Sequence, residues 1–150
     1  MKSVLFLCTG NSCRSQMAEA WAHHYHKGKI ATYSAGIEAH GLNPLAVKVM
    51  SEAGIDMSDH RSKTVASLGK DCFDLVVTVC GHAQEHCPVW LGGGKVIHHG
   101  FDDPPKLAAQ CLSEQEALPH YRRVRDEIGS FVESLLKYFE ENHEPPTLDR

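Results

Sequence analysis

The run Val4-Leu5-Phe6-Leu7-Cys8-Thr9-Gly10-Asn11-Ser12-Cys13-Arg14-Ser15 carries the residues whose types and spacing point most directly to chemistry. An apolar stretch delivers Cys8 to the start of a tight loop, and the loop delivers Arg14 to the start of a helix. Backbone N–H groups of such a loop point inward and carry partial positive charge, and the helix N-terminus adds to it. Arg14 can grip two oxygens of one tetrahedral anion with its planar fork, which a lysine cannot. The same field favours the thiolate form of Cys8, the form that acts as a nucleophile. Gly10 permits a positive φ, and the hydroxyl of Ser12 or Ser15 can donate to the sulfur. Cys8 alone would read as an ordinary buried thiol at a strand end. The strand–loop–helix setting with Arg14 makes it the floor of an oxyanion pocket formed by Thr9, Gly10, Asn11, Ser12, Cys13, Arg14 and Ser15.

Two further groups bear on this pocket. In Phe101-Asp102-Asp103-Pro104-Pro105, Asp103 could protonate an oxygen leaving the anion. Pro104 is expected to hold the backbone extended just after Asp103, and taken alone the segment reads more readily as a polar turn. Cys80 ends an apolar run, and Cys87 follows in Gly81-His82-Ala83-Gln84-Glu85-His86-Cys87-Pro88. If that stretch is helical, the two Cα atoms stand about 10 Å apart, against a limit of about 7 Å for a disulfide. A Cys80–Cys87 bond therefore requires the segment to unwind, which its low apolar content makes cheap. A redox relay would use such a switch. Zinc is a competing reading, with His82, His86, His98 and His99 as further ligands, but the cysteine spacing is wider than that of common zinc knuckles. Two inert thiols are a third reading, which the polar setting of Cys87 beside Pro88 disfavours. Cys13 can pair with Cys8 or serve structure, Cys72 is expected to pack ahead of a strand, and Cys111 has no assigned partner. His23, His24 and His26 read as a solvated helix edge.

The elements that must position these groups follow from periodicity. Val4–Leu7 reads as a buried strand, 15–27 as a helix with Met17, Ala18, Trp21, Ala22 and Tyr25 on one face, and Ile30–Ser34 as a second strand. Gly28 ends the first helix. Asn43-Pro44 is a cap and first turn for a helix that Gly54 stops. Residues 74–80 hold a third, almost wholly apolar strand of the kind parallel sheets require, and 95–98 a fourth. A long final helix spans 113 to about 141, with Val124, Ile128, Phe131, Val132, Leu135, Leu136 and Phe139 at helical spacing and Pro119 bending or interrupting its start. Strands alternating with helices predict an α/β sandwich. Ligands bind such sheets at the carboxyl ends of the strands, where Cys8, Cys80 and His98-His99-Gly100 all fall. Residues 1–141 read as one catalytic domain and 142–150, with Pro145-Pro146, as a flexible tail.

Composition narrows the function class. A 42% hydrophobic content over 150 residues suits one globular domain, and the net charge of −4 argues against a nucleic-acid binder. Arg122, Arg123 and Arg125 read as a solvated helix face. The N-terminal apolar run is too short for a signal peptide or membrane span, so a cytosolic, membrane-free location is expected. Six cysteines there point to metal binding or redox catalysis rather than structural staples.

The segment Cys8-Thr-Gly-Asn-Ser-Cys-Arg-Ser-Gln-Met-Ala-Glu19 resembles the anion loop of the low-molecular-weight tyrosine phosphatase superfamily. Within it, the chain is similar to the thioredoxin-coupled arsenate reductases. Gln16 supports that branch, since the phosphatases usually place Pro there. Further matches are Tyr33-Ser-Ala-Gly-Ile-Glu38, Gly54-Ile-Asp-Met-Ser58, Val76-Val-Thr-Val-Cys80 with Cys87-Pro88, Gly100-Phe-Asp-Asp-Pro104 and Arg122-Arg-Val-Arg-Asp-Glu-Ile128, so the resemblance covers residues 3–136. It implies a four-stranded parallel sheet flanked by helices and a relay of three cysteines. Cys8 would attack arsenate held by the loop while Asp103 protonates the departing oxygen. Cys80 would then form a disulfide with Cys8 and expel arsenite, and Cys87 would take over as an exposed Cys80–Cys87 disulfide for thioredoxin to reduce. No bound cofactor and no metal are implied. Phosphate or sulfate would compete with arsenate, and a monomer is expected.

The chain departs from the family in three places. Some members bind potassium through Asn, Glu, Ser and Asp positions. Asn11, Glu19 and Ser34 match, but Lys63 stands where the Asp would be, so its ammonium is expected to replace the cation. The stretch 106–120 is longer than expected, and the tail 142–150 has no counterpart. Three rival functions remain. A phosphatase needs Cys8, Arg14 and Asp103 but neither later cysteine, and Pro105 stands where tyrosine phosphatases usually carry an aromatic residue. Glutaredoxin-coupled reductases tend to place two cysteines closer together than Cys80 and Cys87. A sensor of arsenic or zinc would use Cys80, Cys87 and nearby histidines without turnover.

Overall fold

In the computed structural model, residues 1–80 and 89–139 are described. Their elements are β1 (Lys2–Cys8), α1 (Arg14–His26), β2 (Ile30–Gly36), α2 (Pro44–Glu52), α3 (Val65–Leu68), β3 (Cys72–Thr78), β4 (Gly93–His98), α4 (Pro104–Ala108) and α5 (Glu114–Glu133), followed by a 3-10 helix, Leu135–Phe139. The four strands form one parallel sheet in the order β2-β1-β3-β4.

Side chains alternate across β1. Val4, Phe6 and Cys8 join a large core with α1, α2 and α5, while Leu5 and Leu7 face a smaller cluster with Ala35, Phe73 and Val76. Burial on both faces explains why the strand reads as a continuous apolar run. The register shift between Cys72 and Leu75 puts an extra residue into β3. It lets Phe73 share a face with Val76, three residues on. Opposite the bulge, Gly94 has φ +121°, and a Cβ there would sit 1.9 Å from the Phe73 carbonyl oxygen.

Helix boundaries follow capping chemistry. The Asn43 side chain accepts from the Leu45 and Ala46 N–H groups, with Pro44 in the first turn of α2. Gly28 and Gly54, at φ +82° and +84°, turn the chain after α1 and α2. The Ser113 hydroxyl caps α5 by accepting from Glu116 N. Helices α1 and α5 cross closely, with Gly129 against the Trp21 indole and the indole N–H donating to the Arg125 carbonyl at 3.0 Å.

Several expectations are corrected. Pro119 lies inside α5, which runs unbroken past it; the lost N–H bond falls near the capped end, where buried Ala117, Leu118 and Tyr121 hold the helix down. The last helix gives way at Ser134 to a 3-10 turn, whose different period leaves Leu136 exposed. Strand β3 starts earlier than expected, at Cys72, and ends at Thr78. Cys72 is exposed rather than packed, because it meets only Gly93 across the sheet. Pro104 opens α4 instead of prolonging an extended chain, although Asp103 before it is extended. His26 is buried, with Nε2 against the Val132 carbonyl at 2.7 Å, so it does not belong to a solvated edge. Tyr25, expected on the buried face of α1, stacks on Trp21 and remains more than one-third exposed. The segment carrying Cys87 and the tail 142–150 lie outside the described residues. Among the described residues no helix is long and apolar enough to cross a membrane.

Candidate active site

The loop between β1 and α1 wraps around Asn11, which is fully buried and has φ +48°, a region Asn tolerates better than most residues. Its amide is used in all directions. Nδ2 donates to Ser15 Oγ at 2.9 Å and Ser34 Oγ at 3.0 Å, and Oδ1 accepts from Gln16 Nε2 at 2.8 Å and Lys63 N at 2.9 Å. Because Ser15 Oγ accepts from Asn11, its own proton points to Cys8 Sγ, 2.9 Å away. Of the two serines considered as donors to the sulfur, Ser15 makes the contact.

Arg14, the first residue of α1, closes the other side. Its Nη1 donates to the Phe101 carbonyl at 2.8 Å, and its Nη2 lies 3.6 Å from Asp103 Oδ1. Asp103 occupies the N-cap position of α4 without capping it, which leaves the carboxyl turned toward Arg14. No side chain caps α1 at Cys13, and the positive end of the helix dipole there favours an anion. The resulting cavity, about 280 Å³, is lined by Cys8, Thr9, Gly10, Ser12, Cys13, Arg14, His40, Asp103 and Pro105. A larger cavity of about 580 Å³ near Trp90 has an apolar wall and contains none of Cys8, Arg14 or Asp103, so the smaller one is the candidate reaction site. Burial, reinforced by Asp103, pushes the Cys13 thiol far up, which unfits it as a second nucleophile.

Cys80 follows β3 and is 1% exposed, in the same core cluster as Cys8. Leu7 pairs with Thr78, which sets Cys80 one residue farther along the neighbouring chain than Cys8. Adjacent strands stand about 4.8 Å apart, so the sheet brings Cys8 and Cys80 to one rim, although Cys80 is not among the residues that line the cavity. Cys87 lies outside the described residues.

Beneath the loop, Lys63 Nζ lies 3.1 Å from the Arg61 carbonyl, 3.3 Å from Ser34 Oγ and 3.5 Å from Glu19 Oε1, and Ser34 in turn donates to Glu19. Glu19 and Ser34, with Asn11 above them, are the positions that the family resemblance matches to a potassium site, and Lys63 stands at the fourth. The ammonium already stands among them, so the site does not fit a metal cation. Gln16 accepts from His60 Nδ1 at 2.9 Å while its own Nε2 donates to Asn11 and Arg61, which fixes the N–H on His60 Nδ1. Among the described residues no group of three or more His, Cys, Asp or Glu is placed to hold a metal.

Sequence reasoning missed His40. It reaches the cavity because residues 38–43 are strapped across the loop by Glu38 N to Thr9 O, His40 N to Gly10 O and Asn43 N to Ser12 O, each 2.9–3.0 Å. The available signal was glycine: a Cβ on Gly36 would meet Thr9 O at 2.5 Å and a Cβ on Gly10 would meet the His40 ring at 2.3 Å.

Comparison with known proteins agrees with this geometry. The family model for low molecular weight phosphotyrosine protein phosphatases matches residues 3–144. Over 136 residues, 91% of this chain and 96% of each relative, the chain is 52% identical to the arsenate reductase of Bacillus subtilis and 50% identical to that of Halalkalibacterium halodurans. A solved arsenate reductase in its phosphate-binding state superposes with a TM-score of 0.76 at 34% identity, covering 93% of this chain and all of that one. Sheet order, loop and sequence thus agree, and the chain belongs to the low molecular weight phosphotyrosine protein phosphatase family.

Proposed function

We propose that the protein is an arsenate reductase working through a Cys8–Cys80–Cys87 relay regenerated by thioredoxin. The observation that carries the reading is Cys8, held at 2.9 Å by the Ser15 hydroxyl in a pocket with Arg14 and Asp103, with Cys80 at the end of the neighbouring strand. Arsenate binds to the loop amides and Arg14. The Cys8 thiolate attacks arsenic, and Asp103 protonates the oxygen that leaves. Cys80 attacks the Cys8 sulfur, the bonding pair stays with arsenic, and arsenite departs from a Cys8–Cys80 disulfide. Cys87 then displaces Cys8 to give the Cys80–Cys87 disulfide, which the dithiol of thioredoxin reduces. The cycle needs no bound cofactor and suits a reducing compartment, the cytosol.

Phosphate ester hydrolysis is a side reaction of the same pocket. Pro105 lines it where an aromatic residue would flank an aryl ring, which disfavours tyrosine phosphate as substrate. The test is arsenate-dependent NADPH consumption with thioredoxin and thioredoxin reductase. Turnover that vanishes in Cys87→Ser supports the relay. Steady ester hydrolysis without arsenate-dependent turnover would assign the pocket to phosphoryl transfer instead.

A further inference from the structure

The second half of the proposed reaction lacks a proton source. In the first half, the Cys8 thiolate and monohydrogen arsenate give Cys8–S–AsO₃²⁻ and hydroxide, which leaves as water with the proton of Asp103. In the second half, the Cys80 thiolate forms the S–S bond, the S–As bond breaks, and its electron pair reduces arsenic from the pentavalent to the trivalent state. The trianion AsO₃³⁻ so formed is far too basic to leave bare and must take up three protons to depart as arsenous acid. Asp103 has already given its proton. Among the other groups lining the cavity, Arg14 does not deprotonate, and the buried Cys13 thiol holds its proton tightly.

His40 has the placement for this task. Its backbone is tied to Gly10, its ring lies against Gly10 at the cavity wall, and its Nε2 is bonded to Glu38 Oε1 at 2.5 Å. The carboxylate orients the imidazole as the third member of an acid–base set does, and leaves Nδ1, the atom nearest Gly10, on the loop side. The side chain is 51% exposed, so it can reload from water. Imidazole is also the side chain best suited to exchange protons near neutral pH. The charged and titratable groups facing it are Glu38 on its own strap, Cys8, Cys13 and Arg14 on the anion loop and α1, and Asp103 before α4.

Building on the arsenate reductase reading, we propose that His40, oriented by Glu38, is the proton donor for arsenite departure. The imidazolium form, with Nε2–H on Glu38 and Nδ1–H on the loop side, passes its Nδ1 proton to an arsenite oxygen as the S–As bond breaks and is left as neutral imidazole; water supplies the remaining protons and reloads the ring. The test is a single turnover of the reduced, full-length protein with arsenate, quenched in acid and scored for Cys8–arsenate adduct, Cys8–Cys80 disulfide and released arsenite. In His40→Gln and His40→Ala the adduct should form at the wild-type rate and accumulate. Arsenite release should slow by about 10- to 100-fold, and added imidazole should restore it in His40→Ala. Release at the wild-type rate in His40→Ala would overturn the proposal. Slow release that imidazole does not restore, or equal slowing of adduct formation, would assign His40 to holding the strap and overturn it too. If the wild type released no arsenite, the reductase reading would fall first and take this proposal with it.

Discussion

Replacing Lys63 with Met tests the cation built into the floor of the anion loop. The side chain keeps its stem and loses its charge, leaving Glu19 with Ser34 and without its ammonium. Across 3.5 Å the attraction between Lys63 and Glu19 is about 5 kcal/mol at an effective dielectric constant of about 20. Both side chains are about one-fifth exposed, 23% and 18%, which places the pair between surface and buried. Surface pairs contribute about 0–1 kcal/mol, and breaking a buried pair costs about 3–5 kcal/mol, so the expected loss is about 2 kcal/mol. With a urea slope of about 2 kcal/mol per molar, the unfolding midpoint should fall by about 1 M. The same urea titration in potassium and in sodium chloride completes the assay. Wild-type stability and turnover should not distinguish the two salts, whereas Lys63→Asp should gain stability from potassium over sodium. A midpoint change in Lys63→Met below about 0.3 M, or strong potassium activation of the wild type, would refute the reasoning.

Other outcomes follow from the same contacts. Asp103→Asn should slow arsenate turnover by about 100-fold or more, measured at saturating arsenate; a near wild-type rate would return Asp103 to the role of a turn residue. Gly129→Ala places a Cβ 2.8 Å from the Trp21 ring, and overpacking should outweigh the better helix propensity, giving a net loss of about 1–2 kcal/mol by thermal or urea unfolding. Burial holds the protonation of His60 and His99 below the ordinary 6.5. The unfolded chain therefore binds more protons than the folded one between the folded and unfolded values. Stability should be full above about pH 6.5 and fall as pH drops through that window, and His60→Gln should flatten part of the slope.

Much of the framework was legible locally because local chemistry sets it. The apolar run before Cys8, the Asn43-Pro44 cap and the final amphipathic helix each state their element in a few residues. What was misread depends on partners distant in sequence. The bulge opposite Gly94 moves the start of β3, and Cys72 is exposed because the residue across from it is glycine. Helix α3 has four residues, none of them buried, and so carries no periodic signal. An Asp-Pro-Pro string constrains Asp103 to extended backbone yet permits a helix to begin at the proline, and only the packing of α4 against α5 selects the second outcome. In the site, Cys8 and Arg14 could be named from residue type and position, whereas Asp103 read as a turn residue until the family resemblance raised it. The motif itself offered Ser12 and Ser15 as donors to the sulfur, and the resemblance offered the Lys63 ammonium; the strap that lays His40 on Gly10 is fixed by contacts between segments, which no single motif encodes.

The most direct test of the relay is to react reduced Cys87→Ser with arsenate and identify its disulfide by mass spectrometry. The account predicts one equivalent of arsenite released and a stalled Cys8–Cys80 disulfide that accumulates. Repeated turnover with thioredoxin, or release of arsenite with no bond between Cys8 and Cys80, would contradict it.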